Sequence, residues 1–163
     1  MSVTDELVQN SEQHAAAFDK GDLPMPPGRG LAVLACMDAR LNPYALLGLA
    51  AGDAHIIRNA GGVVTDDAIR SLTISQRLLG TTEIVLVHHT DCGMVTFTDD
   101  QVKRQIEDEV GIRPPFALEA FPDEYDDVRQ SIARIQASPF IPHKDNVRGF
   151  VYDVHTGKLN EVT

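Results

Sequence analysis

Two short apolar runs constrain the fold of this chain most strongly. Residues 31–35 and 84–87 are continuously apolar, and each run is too short for a buried helix. Such runs are typical of strands covered on both faces, as in a parallel sheet. Residues 54–58 predict another strand between them. Because helical stretches separate these strands, we expect an α/β fold with a central, mostly parallel sheet flanked by helices.

The signals between and after the strands complete this prediction. Thr65 and Thr98 are candidate N-caps, each followed by two acids that favour the positive end of a helix dipole. Near the end of the chain, residues 147–154 and 158–162 flank a His-Thr-Gly turn and predict a hairpin. We therefore expect about four parallel strands, with an antiparallel C-terminal hairpin at one edge.

The first thirty residues are predicted to form an arm. Residues 4–19 are predicted to be helical, with Thr4 as the N-cap, but their apolar stripe is weak. Residues 21–30 contain three prolines and three glycines, which is typical of a linker. We expect a single domain over residues 1–163, in which an arm (1–30) docks on the α/β core (31–163) or on a neighbouring subunit.

Composition excludes several classes of partner. The formal net charge is -10 and the 14 basic residues are scattered, so we expect no nucleic-acid surface. No apolar run approaches the roughly 20 residues that span a bilayer, so we expect no membrane partner. The acidic N-terminus lacks the apolar stretch of a signal peptide, which favours the cytoplasm. Thiols stay reduced there, so two cysteines favour metal binding or chemistry over a disulfide.

Both cysteines follow predicted strands. Cys36 directly follows the first apolar run, and His89 and Cys92 follow the run at 84–87. Ligands in open α/β sheets bind beyond the carboxyl ends of strands where the strand order reverses. Two thiolates and one imidazole suit tetrahedral zinc with an open fourth position. The alternatives are buried cysteines beside an ordinary histidine, a redox-sensing thiol pair, and His88 as the ligand in place of His89.

The fourth position would be taken by water, a carboxylate or another histidine. Asp38 is the nearest carboxylate in the sequence. It could bind the metal or, turned aside by Arg40, accept a hydrogen bond from a metal-bound water, because the planar guanidinium can fix a carboxylate. Asp91, between the other ligands, could orient a histidine or cap its loop.

Three segments carry a resemblance to a known family. They are Cys36-Met37-Asp38-Ala39-Arg40, Arg58-Asn59-Ala60-Gly61-Gly62 and His89-Thr90-Asp91-Cys92. Together they resemble the β-class carbonic anhydrases, in the compact branch found in archaea and actinobacteria. The resemblance implies reversible hydration of carbon dioxide to bicarbonate and a proton, by hydroxide bound to zinc. It also implies a homodimer that can assemble further to a tetramer.

The same resemblance assigns residues to roles. It implies one zinc ion per chain, bound by Cys36, His89 and Cys92, with Asp38 as a conditional fourth ligand. Asp38 and Arg40 would form the catalytic dyad. The backbone of the substrate pocket would come from Gly61, Gly62 and Gly93. Two alternatives stay open: a zinc hydrolase of the same fold that acts on carbonyl sulfide or carbon disulfide, and a non-catalytic zinc protein whose site Asp38 closes.

Overall fold

A computed structural model describes residues 2–163 as a five-stranded sheet with helices on both faces. The strands are β1 (Leu31–Cys36), β2 (Ala54–Asn59), β3 (Glu83–His89), β4 (Val147–Tyr152) and β5 (Leu159–Val162). The helices are α1 (Val3–Ala16), α2 (Pro43–Leu47), α3 (Asp66–Arg77), α4 (Asp99–Val110) and α5 (Glu124–Ala137). Short 3₁₀ turns span Ala60–Gly62 and Gly93–Val95.

The strand order is β2-β1-β3-β4-β5, which confirms the predicted architecture. The first four of these strands run parallel, and β5 pairs antiparallel with β4. The chain leaves β1 toward β2 on one side and returns as β3 on the other. The carboxyl ends of β1 and β3 therefore meet at a reversal of strand order, with Ala35 opposite Val87.

The continuous apolar run of β1 is explained by burial on both faces. Ala32 and Leu34 pack in one cluster with Leu72 of α3 and Ile135 of α5. The residues that alternate with them face a second cluster, which includes both cysteines. Because successive side chains of a strand point to opposite faces, both layers draw on the same six residues.

Helix α1 begins earlier than predicted and contributes nothing to the core. Ser2, not Thr4, is its N-cap: the Ser2 hydroxyl accepts from the backbone N–H of Asp5, whose carboxylate accepts from the N–H of Ser2 at 2.7 Å. This reciprocal pair satisfies two N–H groups that the helix itself leaves free. None of the residues of α1 is buried. The helix therefore does not dock on the α/β core of its own chain.

Most other boundaries follow local signals. Thr65 and Thr98 cap α3 and α4 as predicted, and Gly111 ends α4 in the left-handed conformation. Strand β3 extends beyond the apolar run at 84–87 and includes both His88 and His89. Within residues 2–163, none of the helices has the length and apolar character needed to cross a bilayer.

Candidate metal centre

The three predicted ligands come together at the carboxyl ends of β1 and β3. Cys36 and His89 are the last residues of these strands, and Cys92 follows in the next loop. The two sulfur atoms and a ring nitrogen of His89 all lie within 4.8 Å of one another. All three side chains are buried. The neighbouring position of β1 and β3 therefore creates the cluster.

The imidazole of His89 presents a free lone pair to the cysteines. Its Nδ1 lies 2.8 Å from the carbonyl oxygen of Thr90, which can only accept, so the proton resides on Nδ1. The buried Nε2 has no hydrogen-bond partner. An unpaired buried polar atom is costly. A metal ion bound by Nε2 and the two sulfurs would remove that cost, so these residues fit zinc.

His88 points away from this cluster. Its Nε2 lies 2.7 Å from Oδ2 of Asp127 on α5, and its ring is tilted against Phe121. The alternation of side chains along β3 separates the two histidines. The geometry therefore favours His89 over His88 as the metal ligand.

The two thiols influence each other's ionisation. A hydrogen bond from Cys92 lowers the pKa of Cys36 to about 4, while burial opposes the shift. The same interaction, with burial, raises the pKa of Cys92. One thiolate thus forms readily beside a thiol. Zinc would favour the thiolate form of both, because thiolate is the form that binds metal.

Asp38 is held beside the cluster by Arg40. Oδ1 of Asp38 accepts from the backbone N–H of Arg40 at 2.8 Å and from its Nε at 3.0 Å, and Oδ2 accepts from Nη2 at 2.8 Å. These hydrogen bonds hold the pKa of Asp38 well below its usual range. Oδ2 also lies 3.6 Å from Nε2 of His89. The carboxylate is therefore ionised, bound to the guanidinium and adjacent to the ligands.

Asp91 binds the other side of the same guanidinium. Its Oδ2 accepts from Nη1 of Arg40 at 2.7 Å, and its backbone carbonyl accepts from Nη2 at 3.0 Å. The sequence predicts that Asp91 orients a histidine or caps its loop, whereas its side chain binds Arg40. The position of an acid between two candidate ligands suggests a role at the site, but no pattern in the sequence identifies Arg40, 51 positions away, as its partner.

Arg58 fixes the backbone of the loop that carries Cys36 and Asp38. Its Nε and Nη2 donate to the carbonyl oxygen of Cys36 at 3.0 and 2.9 Å, and Nη2 donates to that of Asp38 at 2.7 Å. The sequence placed Arg58 only at the start of a glycine-containing segment. Its role as a backbone clamp was missed, because its acceptors are main-chain atoms.

The three predicted pocket glycines lie in different places. Gly61 and Gly93 line the cavity in front of the ligands. Gly62 instead lies behind Cys36, where an added Cβ would be 2.8 Å from the backbone nitrogen of that residue. Gly62 has a φ of +70°, a conformation that glycine adopts without a steric penalty.

The cavity in front of the ligands has a volume of about 310 Å³. Beyond the candidate ligands and Asp38, the apolar side chains of Met94 and Phe97 line the cavity, and the exposed Met37 lies at its rim. Met94 and Phe97 follow Cys92 in a 3₁₀ turn and the loop beyond it. No motif had identified them. The cavity thus joins polar donors at its base to an apolar wall.

Comparison with known proteins agrees with this geometry. A family model described as carbonic anhydrase matches residues 31–115. Beta-carbonic anhydrase 1 of Mycobacterium tuberculosis is 61% identical over 163 residues, and the alignment covers 100% of this chain and 99% of that protein. The chain belongs to the β-carbonic anhydrase family.

Solved structures and more distant relatives extend the comparison. The crystal structure of carbonic anhydrase from Streptococcus mutans matches this β-carbonic anhydrase with a TM-score of 0.93 and 43% identity, covering 100% of this chain and 99% of that one. A carbon disulfide hydrolase of Saccharolobus solfataricus is 35% identical over 182 residues, covering 96% of this chain and 87% of the relative. β-Carbonic anhydrases use zinc, and the Cys36–His89–Cys92 group can hold that ion.

Proposed function

We propose that this β-carbonic anhydrase catalyses the zinc-dependent, reversible hydration of carbon dioxide to bicarbonate and a proton. One observation carries the proposal. Three buried donors, Cys36, His89 and Cys92, converge, while the nearest carboxylate, Asp38, is bound to Arg40. Such a centre leaves a coordination position for water. The full-length identity of 61% to a beta-carbonic anhydrase supports the same substrate.

Each residue around the centre has a distinct task. Bound zinc would act as a Lewis acid that lowers the pKa of a coordinated water. The Asp38 carboxylate, held by Arg40, accepts a hydrogen bond from the attacking water and orients it. Arg40 keeps that carboxylate ionised, so Asp38 does not retain the released proton. The proton passes to buffer in the open cavity.

The apolar wall suits the second reactant. Carbon dioxide is small and has no net dipole, so it gains from leaving water for an apolar surface. Met94 and Phe97 provide that surface beside His89 and Cys92. We therefore place carbon dioxide between this wall and the attacking water.

The direct test is stopped-flow hydration of carbon dioxide by purified protein, with metal analysis in parallel. We expect about one zinc ion per chain, activity that chelation abolishes, and severe loss of activity in Cys36→Ser and Asp38→Ala. Asp126→Asn is the control, because it changes an exposed ion pair with Arg129 on α5. Zinc-loaded protein without hydration activity would overturn the proposal.

A second substrate class has a specific observation in its favour. Carbon disulfide hydrolases of Saccharolobus solfataricus and Acidithiobacillus thiooxidans are each 35% identical to this chain, over 96% and 98% of its length. Sulfide release from carbon disulfide or carbonyl sulfide, measured beside hydration, separates the two activities. A non-catalytic zinc protein is less favoured, because a permanently closed centre does not need Arg40 to hold Asp38 aside.

We further propose that the protein is a homodimer in which α1 of each subunit packs on its partner. Val3, Leu7 and Val8 of α1 are 74%, 60% and 55% exposed, although they are apolar. A long linker gives the helix the reach to pack elsewhere. In this division, residues 1–30 form the arm and residues 31–163 the folding core. Whether dimers pair into tetramers is read from the same mass measurement.

Light scattering coupled to size-exclusion chromatography tests this assembly. The full chain should have the mass of a dimer or tetramer, and a variant lacking residues 1–27 should be folded but smaller in subunit number. A full chain that is monomeric at micromolar concentration would contradict the proposal.

We also propose that the protein is cytoplasmic, because both free cysteines remain reduced in that compartment.

A further inference from the structure

Arg40 binds two acids through separate N–H groups. Asp38 uses Nε and one N–H of Nη2, whereas Asp91 uses Nη1 and the remaining N–H of Nη2. A guanidinium carries five N–H groups in a rigid plane. The two acids therefore do not compete. Each adds to the fixation of Arg40.

The backbone of Asp91 is arranged for this contact. Asp91 has a φ of +56°, in the left-handed region that few residues other than glycine adopt, although Asp and Asn tolerate it. In this conformation both its carboxylate and its carbonyl oxygen meet Arg40. Arg40 thereby ties the loop after β1 to the loop between His89 and Cys92.

We propose that Asp91 is a positioning residue that anchors Arg40 and so keeps the Asp38 carboxylate off the metal. This inference rests on the proposed function. Oδ2 of Asp38 lies only 3.6 Å from Nε2 of His89, so a small rotation would carry it into the ligand cluster. To reach the metal, the Asp38 carboxylate must break its hydrogen bonds to Arg40, or the Arg40 side chain must move together with it.

The contacts with Asp91 oppose the second of these routes. Arg40 can follow Asp38 only by also breaking two hydrogen bonds to Asp91, at 2.7 and 3.0 Å. The favourable pairing also lowers the pKa of the Asp91 carboxyl, through the hydrogen bond from Arg40. Without the Asp91 side chain, Arg40 keeps only its hydrogen bond to the carbonyl oxygen of residue 91, so it is held less firmly and Asp38 reaches the metal more easily.

Two substitutions separate the charge of Asp91 from its backbone conformation. Asp91→Asn keeps a residue that tolerates positive φ and can still accept one hydrogen bond, but it removes the charge. Asp91→Gly also tolerates the conformation and removes the side chain entirely. We expect the fraction of molecules with Asp38 bound to the metal to be lowest in the native protein, higher in the Asn variant and highest in the Gly variant.

The readout is the ligand set, not only the rate. Crystal structures of the zinc-loaded native protein and both variants at one pH should show Asp38 on Arg40 in the native protein and on zinc in the Gly variant. In the cobalt-substituted protein, azide binding followed by absorbance should weaken about tenfold in the Gly variant. Apparent affinity falls in proportion to the open fraction.

The matched control is Asp126→Asn. Asp126 and Arg129 are 63% and 51% exposed and 2.8 Å apart, close to the 64% and 46% of Asp91 and Arg40 at 2.7 Å. This control should leave azide affinity unchanged. In an Asp38→Ala background no carboxylate remains to close the site, so the effect of Asp91→Gly on azide binding should disappear.

Two results would overturn the inference. One is a Gly variant with Asp38 still on Arg40 and native azide affinity. The other is a loss of bound metal without movement of Asp38, which would mean that Asp91 only stabilises its loop. If the native protein does not hydrate carbon dioxide, the proposed function fails, while the structures and azide titrations still decide the role of Asp91.

Discussion

Gly62 shows how closely the ligand loop is packed. Its missing side chain lets the turn after β2 contact the backbone of Cys36. Gly62→Ala should therefore combine backbone strain with a steric clash, lower stability by more than about 1–2 kcal/mol and weaken zinc binding. Gly80→Ala is the matched control, since Gly80 has a φ of +74° but open space around it. Urea unfolding and zinc titration compare them, and equal losses would exclude the clash.

The charge of the ligand residues also predicts a pH dependence. Asp38 should remain ionised throughout the range from pH 6.5 to 9, because hydrogen bonds from Arg40 hold its pKa below the usual value. The pH dependence in this range should thus come from water at the metal. Two thiolates cancel the formal charge of zinc, so this water should be less acidic than at a three-histidine centre, where its pKa is about 7. We expect kcat/KM to rise from pH 6.5 to 9, and a flat profile would contradict this.

Among the connecting elements, residues 118–120 between α4 and α5 donate backbone hydrogen bonds to a single side chain. The carboxylate of Asp99 accepts from the backbone N–H groups of Leu118, Glu119 and Ala120, the last at 2.9 Å. This segment leads to Phe121, whose ring packs beside Gly61 at the cavity. Asp99 thus controls a loop that supports the site from a distance.

Asp99→Ala should therefore lower stability by about 1–3 kcal/mol and speed hydrogen exchange at residues 118–120, because three N–H groups lose their acceptor. Asp100→Ala, at an exposed ion pair with Arg113, should change little.

Burial raises the pKa of Asp99, but the backbone N–H donors outweigh burial, so the pKa of this carboxyl is lowered. A carboxyl whose pKa is lowered by folding stabilises the native state at pH values above its unfolded pKa, which is about 3.9 for Asp. The protection of residues 118–120 from hydrogen exchange should therefore persist at pH 4 and be lost at lower pH. Protection that declines already above pH 5 would contradict this.

Local signals explain which elements the sequence predicted correctly. Caps such as Thr65 and Thr98 act within one helical turn, and the apolar runs at 31–35 and 84–87 reflect burial within single strands. The contacts of Asp99, Asp91 and Arg58 instead join residues 19 to 51 positions apart. No periodicity encodes such pairs. The types and spacing of the candidate ligands predict a metal site, whereas the side chains that hold their loops in place are identified only by the tertiary structure.

At the scale of the whole molecule, the candidate metal centre joins β1 and β3, which are neighbouring inner strands of the sheet. Because the unfolded chain cannot bring Cys36 and His89 together, zinc should stabilise the native state, by about 4 kcal/mol at a free concentration 1,000 times the Kd. Chelation should thus lower Tm at fixed protein concentration. Cys36→Ser should start at the lower Tm and not respond, whereas Asp126→Asn should respond like the native protein. An unchanged native Tm would contradict tight binding.

The contacts of Arg58 leave one position of the ligand loop free to change. Arg58 donates hydrogen bonds to the main-chain carbonyl oxygens of residues 36 and 38, and every amino acid provides such an oxygen. The residue between them, Met37, is 63% exposed at the rim of the cavity. The backbone of this loop is therefore fixed, while the side chain at position 37 can be replaced. An engineer who wishes to widen or narrow the entrance for other small molecules can begin at Met37 without disturbing the ligands.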